Sequence, residues 1–290
     1  MNVENMKGLT LVVSLLIGIL LGAAGCYAYF LLTGWPRTII NPTFRRQDAY
    51  NYLVNSYNST LGLCFEHPGS NIYWVSHDNV LASYALQNWN GTIADNITET
   101  IQRLVKDYNL PASPTGIPID TRAEILLGHY AEFLINQTDL VPLNSSYYGS
   151  VLETEKANNN ILPDFENYTD LLCYASLTEW RKGNDTGAVH YWEEANATWD
   201  GNGFNDKVFK LTGYYATYKL GLFYLTSRTL GKNFGFEKDI IDRFSRCQLA
   251  NGGFITDYYG NGSFPSGSTT NTETTSIMLL ADIPLIFEYY

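Results

Sequence analysis

Carboxylates, histidines and aromatic residues recur in this 290-residue sequence at one kind of position. Each group stands in the loop before an apolar helical stretch or in that stretch's first turn. Glu66, His67, Trp74, His77 and Asp78 precede or open one stretch, and Asp120, Arg122 and Glu124 the next. Asp164, Glu166 and Asp170 open a third, Asp200 and Asp206 a fourth, and Asp257, Tyr258, Tyr259 and Glu273 the last. If the stretches lie side by side and run the same way, these groups meet at one mouth. Two carboxyl groups facing one another can act as acid and base or as acid and nucleophile, and aromatic faces stack on sugar rings. The expected catalytic set is therefore Glu66, His67, Asp78 and Glu273. Trp74, His77, Asp120, Arg122, Asp206, Asp257, Tyr258 and Tyr259 are the expected substrate-binding residues.

A plainer explanation competes for several of them. Asp78, Asp120, Asp164 and Asp206 are well placed to cap helices or to meet the positive end of a helix dipole, which needs no ligand. Glu66 and His67 are harder to explain by capping. An acidic mouth of this kind could also hold Ca²⁺ through its oxygen ligands, although no loop has EF-hand spacing. No other metal or cofactor is expected: Cys64, Cys173 and Cys247 form no C-x-x-C pair, and His occurs only at 67, 77, 129 and 190. The net charge of −11 argues against a nucleic-acid partner, since no basic patch could follow a phosphate backbone.

The elements that must position these residues are helical. The stretches 48–58, 78–89, 97–109, 120–136, 166–180, 187–199, 211–230 and 237–250 carry apolar residues at helical spacing, and no strand alternation stands out. One-faced helices alternate with helices apolar around most of their circumference, the pattern of an outer and an inner layer. Turn markers separate them at Gly62-Leu63, Gly116-Ile117, Leu162-Pro163, Gly203-Phe204 and Gly253-Phe254, roughly every 40–55 residues. Laying Gly62 on Gly253 brings Asn79 within one residue of Asn271, each at the head of an apolar helix.

The phrase Gln248-Leu249-Ala250-Asn251-Gly252-Gly253-Phe254, followed by Thr270-Asn271-Thr272-Glu273-Thr274-Thr275, resembles the repeat of the prenyltransferase and squalene/terpene-cyclase superfamily of α/α toroids. "LGLCFE" and "YWVSHDNVLASYAL" are also similar to segments of membrane-anchored toroid proteins of archaeal type. The resemblance implies an all-α chain, an α/α toroid of about five helical hairpins preceded by one transmembrane helix. It does not carry the superfamily's best-known chemistry: "DIID" at 239–242 lies on an outer helix, Cys247 has no histidine partner after it, and the thioester motif is absent. Similar toroids house polysaccharide lyases, glucuronyl epimerases and glycoside hydrolases.

Residues 9–32 carry no charge and are long enough to cross a bilayer core, which gives a short tail (1–8), an anchor (9–32), a linker (33–47) and a toroid domain (48–290). A cleaved signal peptide is the rival reading, since "GAAGC" offers small residues before Cys26, but the apolar run continues for six residues past Cys26. Arg37, Arg45 and Arg46 after the span outnumber Lys7 before it, which by charge alone would place the large domain in the cytoplasm. Nine N-x-[ST] triplets point the other way: Asn58, Asn90, Asn96, Asn136, Asn144, Asn167, Asn184, Asn196 and Asn261. The expectation is a single-pass membrane glycoprotein whose extracytoplasmic domain binds or processes a surface or polymeric carbohydrate as a hydrolase, lyase or epimerase. The alternatives are a non-catalytic envelope protein binding a glycan or a surface protein, and a cyclase or transferase relative acting on a lipid. Expressed in a glycosylating host, the chain should gain electrophoretic mobility on enzymatic deglycosylation; a protease-protected domain without that shift would overturn the topology.

Overall fold

The computed structural model describes residues 44–70, 73–107, 121–126, 136–145 and 150–282. The expected tail, anchor and most of the linker lie outside these residues. Among the described residues no helix is long and apolar enough to cross a membrane.

The described part is mostly helical. Helix α1 (Arg46–Ser56) turns through β1 (Tyr57–Asn58) and β2 (Leu63–Cys64), and β3 (Tyr73–Val75) leads into α2 (Ser76–Leu86). Helices α3 (Gly91–Asp107) and α4 (Thr121–Leu126) follow, then strands β4 (Asn136–Ser145) and β5 (Ser150–Ile161). Next come α5 (Thr169–Arg181), α6 (Asp185–Ala197), α7 (Lys207–Thr212), β6 (Tyr215–Ala216) and α8 (Tyr218–Thr229). The described chain ends with α9 (Glu237–Cys247), β7 (Asp257–Tyr258) and α10 (Thr272–Asp282).

Burial sorts the helices into two kinds, as the sequence pattern predicts. Helix α8 is buried continuously from Lys219 to Ser227, and α10 from Thr274 to Asp282. Helix α3 buries Ala94, Ile97, Thr100 and Ile101, and α9 buries Ile240, Ile241, Phe244 and Cys247, the one-sided spacing of an outer helix. Contacts between the inner helices run α2 to α10, α10 to α8, α8 to α5, α5 to α4 and α4 back to α2. Outer helices back them: α3 on α2, α6 on α5, α9 on α8, and α1 on α10. At their far ends α8 and α10 are joined by Arg228, whose Nη1 donates to the Ala281 carbonyl at 2.7 Å.

The expectation of an all-helical chain needs correcting. Strands β4 and β5 pair antiparallel, and β5 also pairs in parallel with β3, giving the order β3-β5-β4. The helix expected over 120–136 is helical over Thr121–Leu126, and by Asn136 the backbone is already a strand. Pro142, six residues past the expected helix, lies in β4, at the edge of the described sheet, where the missing N–H is tolerated.

Three outer helices pass inward through the same small device. Tyr57 pairs with Cys64, Trp199 with Phe204 and Gln248 with Phe254, so each turn marker closes a short antiparallel loop. In the first and last of these the fourth residue of the inner helix pins the loop, whereas α8 has Gly221 at that position. Asn79 Oδ1 accepts from the Cys64 N–H at 2.7 Å, and Thr275 Oγ1 accepts from the Phe254 N–H at 3.1 Å. The structural counterpart of Asn79 is thus Thr275, while Asn271 caps α10 by accepting from the Thr274 N–H at 2.9 Å.

The two ends of the described chain are clasped together. Gln248 Oε1 accepts from the Arg45 N–H at 2.7 Å, and its Nε2 donates to the carbonyls of Arg45 and Gly252, each at 2.9 Å. Arg45 Nη2 donates to the Leu249 carbonyl at 2.6 Å, Arg46 pairs with Asp282, and Phe44 meets Phe254 edge-on at 5.3 Å. Gly252 permits this approach, because a Cβ there would collide with the Asp48 carbonyl oxygen. Its φ of +90° is also one that L side chains rarely adopt. Gly262, at φ +83° with nothing near it, isolates the backbone effect, which costs about 1–2 kcal/mol. Urea unfolding should show Gly252→Ala destabilising beyond Gly262→Ala; equal losses would mean that the clasp does not need the close approach.

Candidate functional site

The second residue of every inner helix is ionisable: His77 in α2, Arg122 in α4, Asp170 in α5, Lys219 in α8 and Glu273 in α10. Those residues are linked from helix to helix. His77 Nε2 lies 3.3 Å from Glu273 Oε1, and Lys219 Nζ lies 3.3 Å from Asp170 Oδ1. Tyr218 donates its hydroxyl to Asp170 Oδ2 at 2.7 Å and feels the charge of Glu273, and Asp170 in turn feels Arg122. The two ion pairs join first turn to first turn, and Arg122 and Glu273 lie near enough to be felt through charge, so the N-terminal ends of the neighbouring inner helices gather in one place. Their dipoles favour the carboxylates there.

Lys219 is the most deeply placed of the group, with a side chain 2% exposed. An ammonium at that depth must be neutralised and hydrogen-bonded. Asp206 and Asp170 do so together. Asp206 has no capacity left over: it accepts from the N–H groups of Val208 and Phe209 as the cap of α7, and from the Thr169 N–H at the start of α5. Burial alone would raise the Asp170 carboxyl, but Lys219 and then the Tyr218 hydroxyl hold it below the ordinary aspartate value. Burial opposes the charge on Lys219 as well, yet Asp170 and Asp206 keep its value above that of a free lysine. Tyr218 is pushed far up by burial and by the neighbouring Asp170, so it donates a hydrogen bond and does not ionise.

The more accessible half of the cluster is different in character. The Glu273 side chain is 30% exposed against 5% for His77, so this pair has one open end. Asp257 stands at the head of α8: β7 pairs Asp257 with Ala216, and the Thr217 N–H bonds the Thr256 carbonyl at 2.8 Å, just before Tyr218. Burial raises the Asp257 carboxyl, against smaller opposing effects of Thr256, Lys219 and Ser268. The cluster thus holds one carboxyl pushed toward the acid form and another fixed as an anion, a division that acid–base sites use.

The other expected site residues are placed as follows. Glu66 and Phe65 present their carbonyls to Thr272 at the head of α10, at 2.8 and 2.7 Å, so the Glu66 backbone abuts the cluster. His67 bonds the neighbouring Pro68 carbonyl through Nδ1. Asp78 is buried in the first turn of α2, and Arg122 is half-buried in α4. Tyr258 is buried, its hydroxyl donating to the Asn202 carbonyl and its ring stacked on Tyr215, while Tyr259 is 38% exposed. Trp74 has its backbone in β3, but its side chain, and the whole of Asp120, lie outside the described residues.

Sequon asparagines Asn96, Asn167, Asn184 and Asn261 are exposed, and Asn58, Asn90 and Asn196 are half-buried. Asn136 and Asn144 belong to β4, with side chains outside the described ones. Cys64, Cys173 and Cys247 are all buried and form no disulfide. Burial raises each thiol, Cys247 to about 12, so none is poised as a nucleophile. Among the described residues no three His, Cys, Asp or Glu side chains are grouped to hold a metal. An open cleft of ≈ 400 Å³ lined by Tyr57, Thr60, Gly62, Glu99 and Arg103 includes none of the cluster residues.

Sequence reasoning passed over Lys219 and Tyr218. Their signal was available: Lys219 is the single charge in the run "GYYATYKLGLFYLT", and a cation at the head of an apolar helix demands an anion nearby. No protein-family model, no curated protein and no solved structure matches this chain.

The ion network sets a pH window for stability. The Asp170 carboxyl is lower in the fold than in the unfolded chain, so its contribution is complete above about pH 4 and lost as pH falls through the folded value. Lys219 is raised, so its contribution is complete below about pH 10.4 and lost at more alkaline pH. Lys219→Met should cost about 3–5 kcal/mol in urea unfolding at neutral pH, because it strands buried carboxylates. Asp170→Asn should flatten the acid limb of the stability profile.

Proposed function

We propose that residues 48–290 form an α/α toroid of about five helical hairpins whose mouth binds and hydrolyses a neutral or amino-sugar polymer. The single observation that carries this reading is the coupled set of ionisable second residues on the inner helices. A helix cap explains one acid at a time; it does not explain a histidine, an arginine and a lysine at the same position of neighbouring helices. The toroid itself is supported by the closed circuit of inner-helix contacts and by the outer helices that back them.

In this reading Asp257 is the proton donor. Its proton passes to the bridging oxygen of the bound saccharide as the bond to the anomeric carbon breaks, the electron pair staying on that oxygen. The Glu273 carboxylate, oriented by His77, takes a proton from the water that adds to the anomeric carbon. The fixed anion of Asp170 offsets the positive charge developing on the sugar, Arg122 donates to the polymer's oxygens, and the Tyr218 oxygen, whose proton is committed to Asp170, accepts from a sugar hydroxyl. Net acidity favours an uncharged or cationic glycan over a uronate. The chain is held to a cell membrane through residues 9–32, with this domain extracytoplasmic and glycosylated.

A second reading is a non-catalytic toroid that binds a glycan or a surface protein. The saturation of Asp206 and Lys219 favours it, since that half of the cluster is spent on holding helices together. Calorimetry and product analysis with cello- and chito-oligosaccharides separate the two. Asp257→Asn and Glu273→Gln should each bind the oligosaccharide within about threefold of the parent and lose hydrolysis by about 10²–10⁴-fold. Binding with no hydrolysis by the parent protein leaves the second reading, and hydrolysis that survives both substitutions removes these residues from the mechanism.

A further inference from the structure

The His77–Glu273 pair spans the line where the first hairpin, α1–α2, meets the last, α9–α10. The two halves of that line are joined by hydrogen bonds between residues about 200 positions apart. Gln248 is the hub of the clasp on the outer side. From it a continuous set of contacts leads inward: Gln248 Nε2 bonds the Gly252 carbonyl, and Asn251 Nδ2 bonds Thr270 Oγ1 at 3.0 Å. The Phe254 N–H bonds Thr275 Oγ1, whose hydroxyl donates in turn to the Asn271 carbonyl at 2.8 Å. Asn271 and Thr275 bracket Glu273 in the first turn of α10. On the opposite side the loop at Phe65 and Glu66, which follows α1, holds Thr272.

We propose that Gln248 is a positioning residue for the His77–Glu273 pair, acting through the 251–254 loop on the first turn of α10. The carboxylate that the hydrolytic reading uses as base is therefore set by a clasp on the far side of the turn. Glu273 rides on an N-terminal turn whose direction is fixed at three points: Thr272 by the 65–66 loop, Asn271 by Phe254, and Thr275 by Phe254. Two of these three depend on a loop that Gln248 holds through the Gly252 carbonyl, alongside the backbone bonds Leu249 N–H to Gly253 and Ile255 N–H to Cys247. The inference rests on the proposed site only for its significance, because the pair and its geometry can be read without a substrate.

The test is histidine NMR on the full chain in detergent, or on the released domain if residues 44–290 prove to fold alone. Glu273→Gln removes the carboxylate directly and should lower the His77 titration midpoint by about 0.3–1 unit, since a neighbouring carboxylate favours the charged imidazole. Gln248→Leu, which keeps volume and removes the clasp bonds, should move His77 in the same direction, and should add little when combined with Glu273→Gln. Thr275→Val, a substitution of matched shape in the middle of the path, should do likewise if Gln248→Leu compromises folding. Hydrogen exchange at 271–276 should rise by at least about threefold in the same variants. The proposal is overturned if Glu273→Gln moves His77 while Gln248→Leu and Thr275→Val leave it unchanged, or if Glu273→Gln leaves it unchanged. Oligosaccharide binding and hydrolysis can fail or succeed independently of either result.

Discussion

The ammonium of Lys219 is the constraint on which the rest of the inner layer depends. A buried cation without partners costs far more than a domain of this size can spare, since net stabilities run to about 5–15 kcal/mol. Its position therefore dictates where two aspartates must stand. Asp206 can stand there only by capping α7 and receiving the Thr169 N–H, which fixes the start of α5. Asp170 can stand there only if α5 runs beside α8, which then places Tyr218 in contact with it. One charge thus registers three helices and the connection between them. Apolar packing alone would tolerate sliding along such smooth helices; a lysine with two assigned carboxylates does not.

The same arrangement explains why capping and site chemistry were difficult to separate from the sequence. Asp206 is a cap, as the simplest explanation has it, and is also part of the ion network. Asp170 lies in the first turn of α5, where it bonds its own backbone N–H and also takes Lys219 and the Tyr218 hydroxyl. What distinguishes them is the partner across the helix gap, and spacing along the chain cannot show that. The alternation of inner and outer helices was legible, because burial on one face or on all faces leaves a direct mark on residue choice. So was the turn function of "ANGGF", whose glycines answer to a backbone collision and a positive φ.

The strands were less legible for a physical reason. In β5 the run "ETEKANNN" lacks an apolar alternation, so its pairing rests on backbone hydrogen bonds and on a neighbour from elsewhere in the chain. Such strands are chosen by context. Likewise Asn79 and Thr275 perform one task with different side chains, an amide in one repeat and a hydroxyl in the other. Alignment by residue type pairs Asn79 with Asn271, whereas geometry pairs it with Thr275. In these two repeats the hydrogen bond to the loop is kept although the residue that makes it differs.

The clasp has a consequence for how the chain acquires its shape. Arg45 and Gln248 are separated by 203 positions, so the bond that closes the helix circuit is among the last that a growing chain can form. Each helical hairpin can assemble from local contacts as it leaves the ribosome, but the side of α1 that packs on α10 must wait until α9 and α10 have been made. During that interval Phe44 and the apolar side of α1 face water. The order of synthesis thus leaves a window in which chaperone binding, or pairing of one chain's first helix with another chain's last hairpin, competes with correct closure.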